Sequence, residues 1–544
     1  MYRVVTENEI RGIGPKEPVD RSIFKGAVND PDNVKEKIRY SWEVPPPPIP
    51  EDQIVEELEA DVVVIGGGIA GLAAGARCTE LGMSVIVVDK FRGLVAHGAH
   101  IACLDSPVMR KLGIKIDKQE FARRWMHTCG SRVNEDLLWL YINKSEEAVM
   151  WLLNLAGDEV ELKLYGGYYK GPEFTEYPAT HYFQKKKGSH YKTYGAFLFC
   201  EILQEVILNG GNKVMRNTNA KYLEKKDGRV TGFVAECEDG KYRRFTGKKA
   251  VILATGDIGG DPEMLAKYCP LGLKPKKNGY FPAGINTGDG HKMAFWIGAA
   301  MEEPSWALSL HLISYAMYSF FFLHVNRLGR RFMNEDTWSQ AKSIRILMQP
   351  QWGDGDWAFS VFDSKWFEEV GERVHIAGGQ FTEPLITEYG QPWDENNGVR
   401  EAIEAYIQKG ACFVADTLEE LAEKMEVPVD TFVATVNRYN ELVRLGVDLD
   451  YGKRSELLTS IEKPPYYALK FGPALLNVFG GVLTDINMRV LDKNQNPIPG
   501  LYAVGNVAGG LHGVDYPLLL NGNSHSRALV WARQAAAHIA SGEE

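Results

Sequence analysis

The sequence predicts an α/β protein: a Rossmann-like domain that carries a small β-meander and is interrupted by an inserted α+β capping domain. Three observations predict this fold. An apolar, β-branched run, Val62 to Ile65, passes directly into Gly66-x-Gly68-x-x-Gly71 and then into an Ala/Gly-rich helix opening through Gly75. A second apolar run, Ser84 to Val88, ends in Asp89. After a middle section of different texture, glycine-punctuated strands return at Gly480-Gly481-Val482 and Gly500 to Gly505, ahead of a long C-terminal helix.

Residues 1–56 are polar and charged and end in Pro45-Pro46-Pro47-Pro48-Ile49-Pro50, which reads as a polyproline arm. Such an arm lies along the surface or against another subunit, leaving a homo-oligomer open. The nucleotide domain is expected over 57–290. At its start Gly66 permits the tight turn, Gly68 lets the backbone approach a pyrophosphate, and Gly71 with Gly75 lets the helix pack closely on the sheet. The helix N-terminal N–H groups then face the phosphates, and Asp89 accepts from ribose hydroxyls. This fingerprint specifies a dinucleotide without separating NAD from FAD.

Leu208 to Cys237 shows turn-punctuated alternation, with Asp227-Gly228 as a tight turn, and reads as the meander. Ala250 to Thr255 is another buried strand, followed by Asn286-Thr287-Gly288-Asp289-Gly290-His291 opening a helix. Over 291–472 the pattern changes to aromatic segments and amphipathic helices, including Thr417 to Lys424 and Asp430 to Arg444, which reads as the capping domain. Residues 473–544 complete the nucleotide domain.

Composition limits the function classes. The 544 residues are 45% apolar and 24% charged, ordinary for a globular chain with a large core. A net charge of -10 gives no basis for nucleic-acid binding, and Lys185-Lys186-Lys187 and Lys248-Lys249 read as solvated loops. No run approaches the roughly 18 apolar residues that span a bilayer; Tyr315 to Leu323 is too short. With neither a hydrophobic signal core nor a twin-arginine pair near residue 1, a cytoplasmic location is expected. Seven cysteines without any Cys-x-x-Cys argue against iron–sulfur, zinc and paired-disulfide sites, and no metal is expected.

The succession GGGIAGLAAG, ATGDIGG, NTGDGHKMA, VNRLGRRFMNE, FGGVLTD and IPGLYAVGNVAGGLHG resembles the fumarate reductase and succinate dehydrogenase flavoprotein family, in order and spacing, from Asp61 onward. The resemblance implies a FAD-binding domain with an inserted cap and a substrate held between them. Its chemistry is hydride transfer between flavin N5 and a carbon of a C–C bond adjacent to a carbonyl. It assigns cofactor contacts to Gly66, Gly68, Ile69, Ala70, Gly71, Asp89 and Lys90, to Ala254, Thr255, Gly256 and Asp289, and to Gly505, Asn506, Asn521 and Ser524. His97 falls seven residues after Lys90, the interval at which membrane-complex members carry a histidine bonded to the flavin. A non-covalent histidine beside the flavin is the preferred reading, with covalent attachment as the alternative.

Departures from the family pattern bear on the substrate. The proton-donating arginine slot falls on Ser339, the carboxylate-clamping arginine is replaced within Val514-Asp515-Tyr516-Pro517, and Asn477 replaces a histidine. Arg345 and Arg527 are the nearby arginines that a shifted alignment could bring into these roles. Losing charge-assisted arginine contacts disfavours a dicarboxylate substrate. Gly505-Asn506 and Tyr516-Pro517 instead resemble the 3-ketosteroid dehydrogenases, which implies that Tyr516, with a backbone N–H near Leu520, donates to a substrate carbonyl. Leu518-Leu519-Leu520 departs from the turn of those enzymes. Proton-transfer candidates are Ser339, Tyr315, Tyr318, Tyr194, His190 and Tyr191.

The favoured function is a FAD enzyme acting on a C–C or C=C bond conjugated to a carbonyl, in a ring-shaped or steroid-like substrate. A carboxylate-specific enoate reductase and an electron-transfer flavoprotein subunit are the alternatives. The electron donor or acceptor is a partner or diffusible carrier that the sequence does not identify.

Overall fold

Five parallel strands form the centre of the main sheet, in the order Pro497–Ala503, Tyr242–Leu253, Ile54–Ile65, Val85–Val88 and Lys213–Met215. The structure is a computed structural model that describes residues 40–172, 175–349, 356–377 and 388–543. Val62, Val63, Val64, Val87 and Val88 are fully buried. Such continuous apolar runs are what a parallel sheet covered on both faces requires. Helix Ile69–Glu80 packs between helices Gly195–Asn209 and Asn523–Ser541. Its small residues allow this: a Cβ on Gly75 would stand 2.8 Å from both Ile207 Cδ1 and Val87 Cγ2. The C-terminal strand Pro497–Ala503 therefore pairs with Tyr242–Leu253 and completes a sheet begun more than 400 positions earlier in the chain.

The meander comprises Asn219–Lys226, Arg229–Glu236 and the first half of Tyr242–Leu253, paired antiparallel. Asp227 (φ 49°) and Gly228 (φ 84°) both adopt left-handed backbone, the geometry that suits a two-residue hairpin. The expected start at Leu208 is corrected. Leu208 and Asn209 end the Gly195–Asn209 helix, whose Ile202, Leu203 and Ile207 face the core, and Lys213–Met215 joins the parallel sheet.

In the cap, an antiparallel sheet runs Leu323–Val325, Ala358–Asp363, Tyr466–Phe471, Cys412–Ala415. Phe320, Phe322, Phe362 and Trp366 form one core beside it, and Val361, Leu421, Phe432 and Val436 another, both separate from the nucleotide-domain core. Thr417 caps helix Leu418–Met425 by accepting from the Glu420 N–H at 3.1 Å. Strands Ala307–His311 and Ala474–Phe479 pair antiparallel at the two ends of the insertion. The expected limit at 56/57 lies within Ile54–Ile65, and that at 290/291 within helix Asp289–Trp296, whose Met293 and Ala294 pack in the nucleotide-domain core. Met301 also packs against that core.

Two units partition the chain, Met1–Val44 and Pro45–Glu544. Of the first, residues 40–44 are described, and they hold a 3-10 turn at Ser41–Glu43; residues 1–39 of the expected extension lie outside the described residues. In the second, the proline arm leans on the meander, where the Ile49 N–H donates to the Tyr222 hydroxyl at 3.0 Å. No helix among the described residues is long and apolar enough to cross a membrane.

Candidate functional site

The first strand–turn–helix shapes one end of a cleft of about 1060 Å³, a volume that includes space open to solvent. Steric crowding explains the glycines. A Cβ on Gly66 (φ 109°) would lie 2.2 Å from the Ala254 carbonyl oxygen, and one on Gly71 would lie 1.8 Å from that of Gly66. Gly68, by contrast, faces the open cleft, with the Val95 carbonyl oxygen 3.8 Å from its would-be Cβ. Helix Ile69–Glu80 begins there with no side-chain cap and no acidic residue in its first turn. Gly68, Ile69 and Ala70 at this helix start line the cleft, a position suited to binding an anion.

Asp89 stands at the end of its strand and is 8% exposed. Its carboxylate accepts from the Gly67 N–H at 2.6 Å and the Phe91 N–H at 2.7 Å, with Arg216 Nη1 3.8 Å away. Burial raises its pKa against these contacts. Lys90 Nζ donates to Thr287 Oγ1 and Asp289 Oδ2, both at 2.8 Å, tying the second strand to the helix at Asp289–Trp296. The C-terminal segment enters from the other side: Gly505 (φ 73°) passes so close that a Cβ would stand 2.6 Å from Ala70 Cβ. An uncapped helix start, a buried acceptor for ribose hydroxyls and glycines shaped to a close backbone approach fit a dinucleotide such as FAD.

Most of the expected cofactor residues line this one cleft: Gly66, Gly68, Ile69, Ala70, Asp89, Lys90, His97, Ala254, Thr255, Gly256, Asp289, Gly505, Asn506 and Ser524. Two do not. Gly71 is a packing residue inside the helix, and the Asn521 carbonyl accepts from Thr180 Oγ1 at 2.8 Å.

At the far end, His97 Nε2 is 2.7 Å from Asn477 Oδ1, and Asn477 Nδ2 donates to Asp257 Oδ2 at 2.7 Å. Burial and the neighbouring His525 push His97 down to about 3, so its ring is neutral. His525 donates from Nδ1 to the His100 carbonyl at 2.6 Å and also lines the cleft. Tyr516 is 3% exposed and lies face to face with Phe479, centroids 4.7 Å apart at 13°. Its hydroxyl reaches Ser524, a cleft residue, and burial raises its pKa, which keeps it protonated. The Leu520 N–H is taken up in a turn to the Pro517 carbonyl at 3.4 Å.

The remaining proton-transfer candidates separate by position. Ser339 is the half-buried first residue of helix Ser339–Leu347, its carbonyl accepting from Ser343 Oγ at 2.9 Å. Its neighbour Gln340 is the better connected: fully buried, it spans from the Leu308 carbonyl (2.7 Å) to Asp515 Oδ1 (2.9 Å), beside Tyr516. Tyr315 holds a left-handed backbone (φ 126°) between Lys277 and Lys470, whose Nζ atoms stand 4.1 and 4.5 Å from its ring centroid. Two candidates are corrected. Tyr318 is buried in the cap core against Phe320 and Tyr406. Tyr194 is 73% exposed at the start of helix Gly195–Asn209, under Lys185 Nζ at 3.6 Å. A core position in the cap and an exposed position beside Lys185 account for these two residues without the cleft. His190 is a surface residue between Glu159 and Glu205.

Neither nearby arginine reaches the cleft. Arg527 is fully buried and donates from Nη2 to Asn506 Oδ1 at 2.5 Å, and Arg345 donates to the Asn334 carbonyl at 3.0 Å. Sequence reasoning missed Asp257, Arg216, Gln340 and His525. Asp257 alone left a signal, a carboxylate inside the glycine turn ATGDIGG.

Known proteins with similar sequences carry the same architecture. The chain is 28% identical to the "Probable fumarate reductase Ifc3" of Shewanella frigidimarina, over 88% of this chain and 74% of that protein. It is 25% identical to a 3-oxosteroid 1-dehydrogenase of Mycolicibacterium smegmatis, over 84% and 94%. The solved open conformation of a flavocytochrome c3 fumarate reductase superimposes with a TM-score of 0.67 at 25% identity, covering 93% of this chain and 83% of that one. Residues 61–518 match the sequence model of the FAD binding domain family, so the chain belongs to that family and FAD is its cofactor.

Proposed function

We propose that this FAD-dependent oxidoreductase transfers a hydride between flavin N5 and one carbon of a C–C or C=C bond conjugated to an uncharged carbonyl. FAD, when bound, supplies the hydride donor or acceptor. One observation carries the choice of an uncharged carbonyl over a carboxylate: among the described residues, Lys90 is the only lysine or arginine lining the cleft, and it is paired with Asp289 at the pyrophosphate end. A carboxylate would find no bidentate partner there.

In this reading the chain's residues bind and polarise the substrate. The Tyr516 and Ser524 hydroxyls form a hydrogen-bonded pair whose free proton is donated to the carbonyl oxygen, and the Phe479 and His512 rings hold Tyr516 in place. Donors fixed in advance strengthen as charge develops on oxygen. Gln340 and Asp515 brace the Tyr516 backbone, whose N–H donates to Asp515 Oδ1 at 2.8 Å. The similarity to a fumarate reductase supports the enoate alternative. Seven buried, unpaired cysteines suit a reducing, cytoplasmic setting.

Anaerobic reoxidation of the chemically reduced holoenzyme tests this. Reoxidation by a cyclic enone and not by fumarate is expected. Tyr516→Phe should slow that reoxidation on the order of 10²-fold with flavin content unchanged. Reoxidation by fumarate alone would overturn the proposal.

A further inference from the structure

Asp257 occupies an unusual position. It follows Gly256 (φ 76°) in the turn after strand Tyr242–Leu253, is 1% exposed, and stands directly behind the Asn477 end of the cleft. The groups that hold its carboxylate are all neutral. Asn477 Nδ2 donates at 2.7 Å, the Gly259 N–H at 2.7 Å and Asn286 Nδ2 at 3.4 Å, joined by the Val478 N–H and the Asn506 side chain. Arg527 stands one residue removed, beyond Asn506. Burial raises the carboxyl to about 6, which leaves it ionised at neutral pH.

The carboxylate also dictates how two amides point. An ionised carboxylate only accepts, so Asn477 must turn Nδ2 toward Asp257 and Oδ1 toward His97. His97 then carries its proton on Nε2, facing Asn477. Asn506 turns the same way, Oδ1 to Arg527 and Nδ2 to Asp257. The Asn477 end of the cleft therefore offers a substrate a buried negative charge one side chain away, with the Arg527 cation already engaged. Fixed charges in such a poorly solvated place act over several ångströms with little screening.

We propose that Asp257 is a specificity-determining residue: its buried charge, standing behind Asn477, rejects carboxylate ligands from this end of the cleft and selects those that are uncharged there. The inference rests on the proposed function for the location of the substrate and extends it by naming the group that excludes enoates.

The test compares two ligands of like skeleton, 2-cyclohexenone and 1-cyclohexenecarboxylate, on the oxidised holoenzyme, with Kd read from the perturbation of flavin absorbance. Asp257→Asn and Asp257→Ser should each tighten the carboxylate about tenfold or more at pH 8 and shift the enone less than threefold, as expected for removal of a like charge. Asp257→Glu, which keeps the charge, should leave the carboxylate weak. Asn and Ser variants that bind flavin normally yet leave the carboxylate Kd unchanged would overturn the inference, as would a Glu variant that binds the carboxylate as tightly as the Asn variant. Should one variant fail to fold, the other still decides. Failure of the wild type to be reoxidised by either ligand would defeat the proposed function alone, because the equilibrium Kd comparison needs no turnover.

Discussion

At the pyrophosphate end of the cleft most of the determining residues lie within one stretch, Gly66 to Asp89, where the glycines act through steric limits on the backbone and Asp89 through hydrogen bonds. At the Asn477 end they come from four separated places, His97, Asp257, Asn477 and Tyr516, and act through hydrogen bonds and charge. His97 and Asn477 are 380 residues apart, Asn477 and Asp257 220 apart. The first end performs a task common to many dinucleotide proteins and is locally encoded. The second is the end to which the proposed function assigns discrimination between substrates.

The largest effect should come from Gly71→Ala. A methyl 1.8 Å from a backbone oxygen cannot be accommodated by any side-chain movement, so the helix must leave the sheet. Loss of soluble protein, or of flavin together with the cooperative melting transition, is expected; a flavin-replete variant with unchanged Tm would break the steric account. Gly68→Ala sharpens it. Its φ of -83° suits alanine and its Cβ meets only open cleft, so the fold should survive while the methyl occupies space needed by the pyrophosphate. We expect a FAD Kd raised about tenfold or more, or about 1.4 kcal/mol, by titration of the flavin-free protein. Equal loss of Tm in the two variants would show that both glycines serve packing.

A smaller effect separates the ends by pH. His97 and His100 are held down to about 3 and His311 to about 4, in each case chiefly by burial. Their folded values lie below the ordinary 6.5, so the unfolded chain binds more protons between these limits. Stability is fully present above about 6.5 and falls as pH drops toward 4, by up to about 1.4 kcal/mol per unit for each fully shifted histidine. Hydrogen exchange of the flavin-free protein at pH 7 and 5 should show protection lost around residues 97–102 and 474–479 before Val62–Ile65. Loss in the central strand first would contradict the contrast between the ends.

Some of this was legible from residues alone. The valine run, the glycine spacing and Asp89 specified strand, turn, helix and acceptor, because each requirement is met within a few residues of where it arises. The same holds for the Asp227-Gly228 turn. Lys213–Met215 was misassigned to the meander because a three-residue strand carries no periodicity that tells a parallel edge from a hairpin. Tyr318 and Tyr194 were candidates because an aromatic side chain shows its chemistry in the sequence but not whether it faces a cleft, a core or water.

By itself the sequence determined the dinucleotide fingerprint and the fold class, since backbone sterics and hydrophobic periodicity act between near neighbours. Only the tertiary structure decided that Asp257 is buried without a direct cation, that Asn477 presents its oxygen to His97, and that Arg527 is engaged with Asn506. The physical reason is that the effect of a charge depends on its desolvation and its partners, and both are set by which distant segments the fold brings within hydrogen-bond distance.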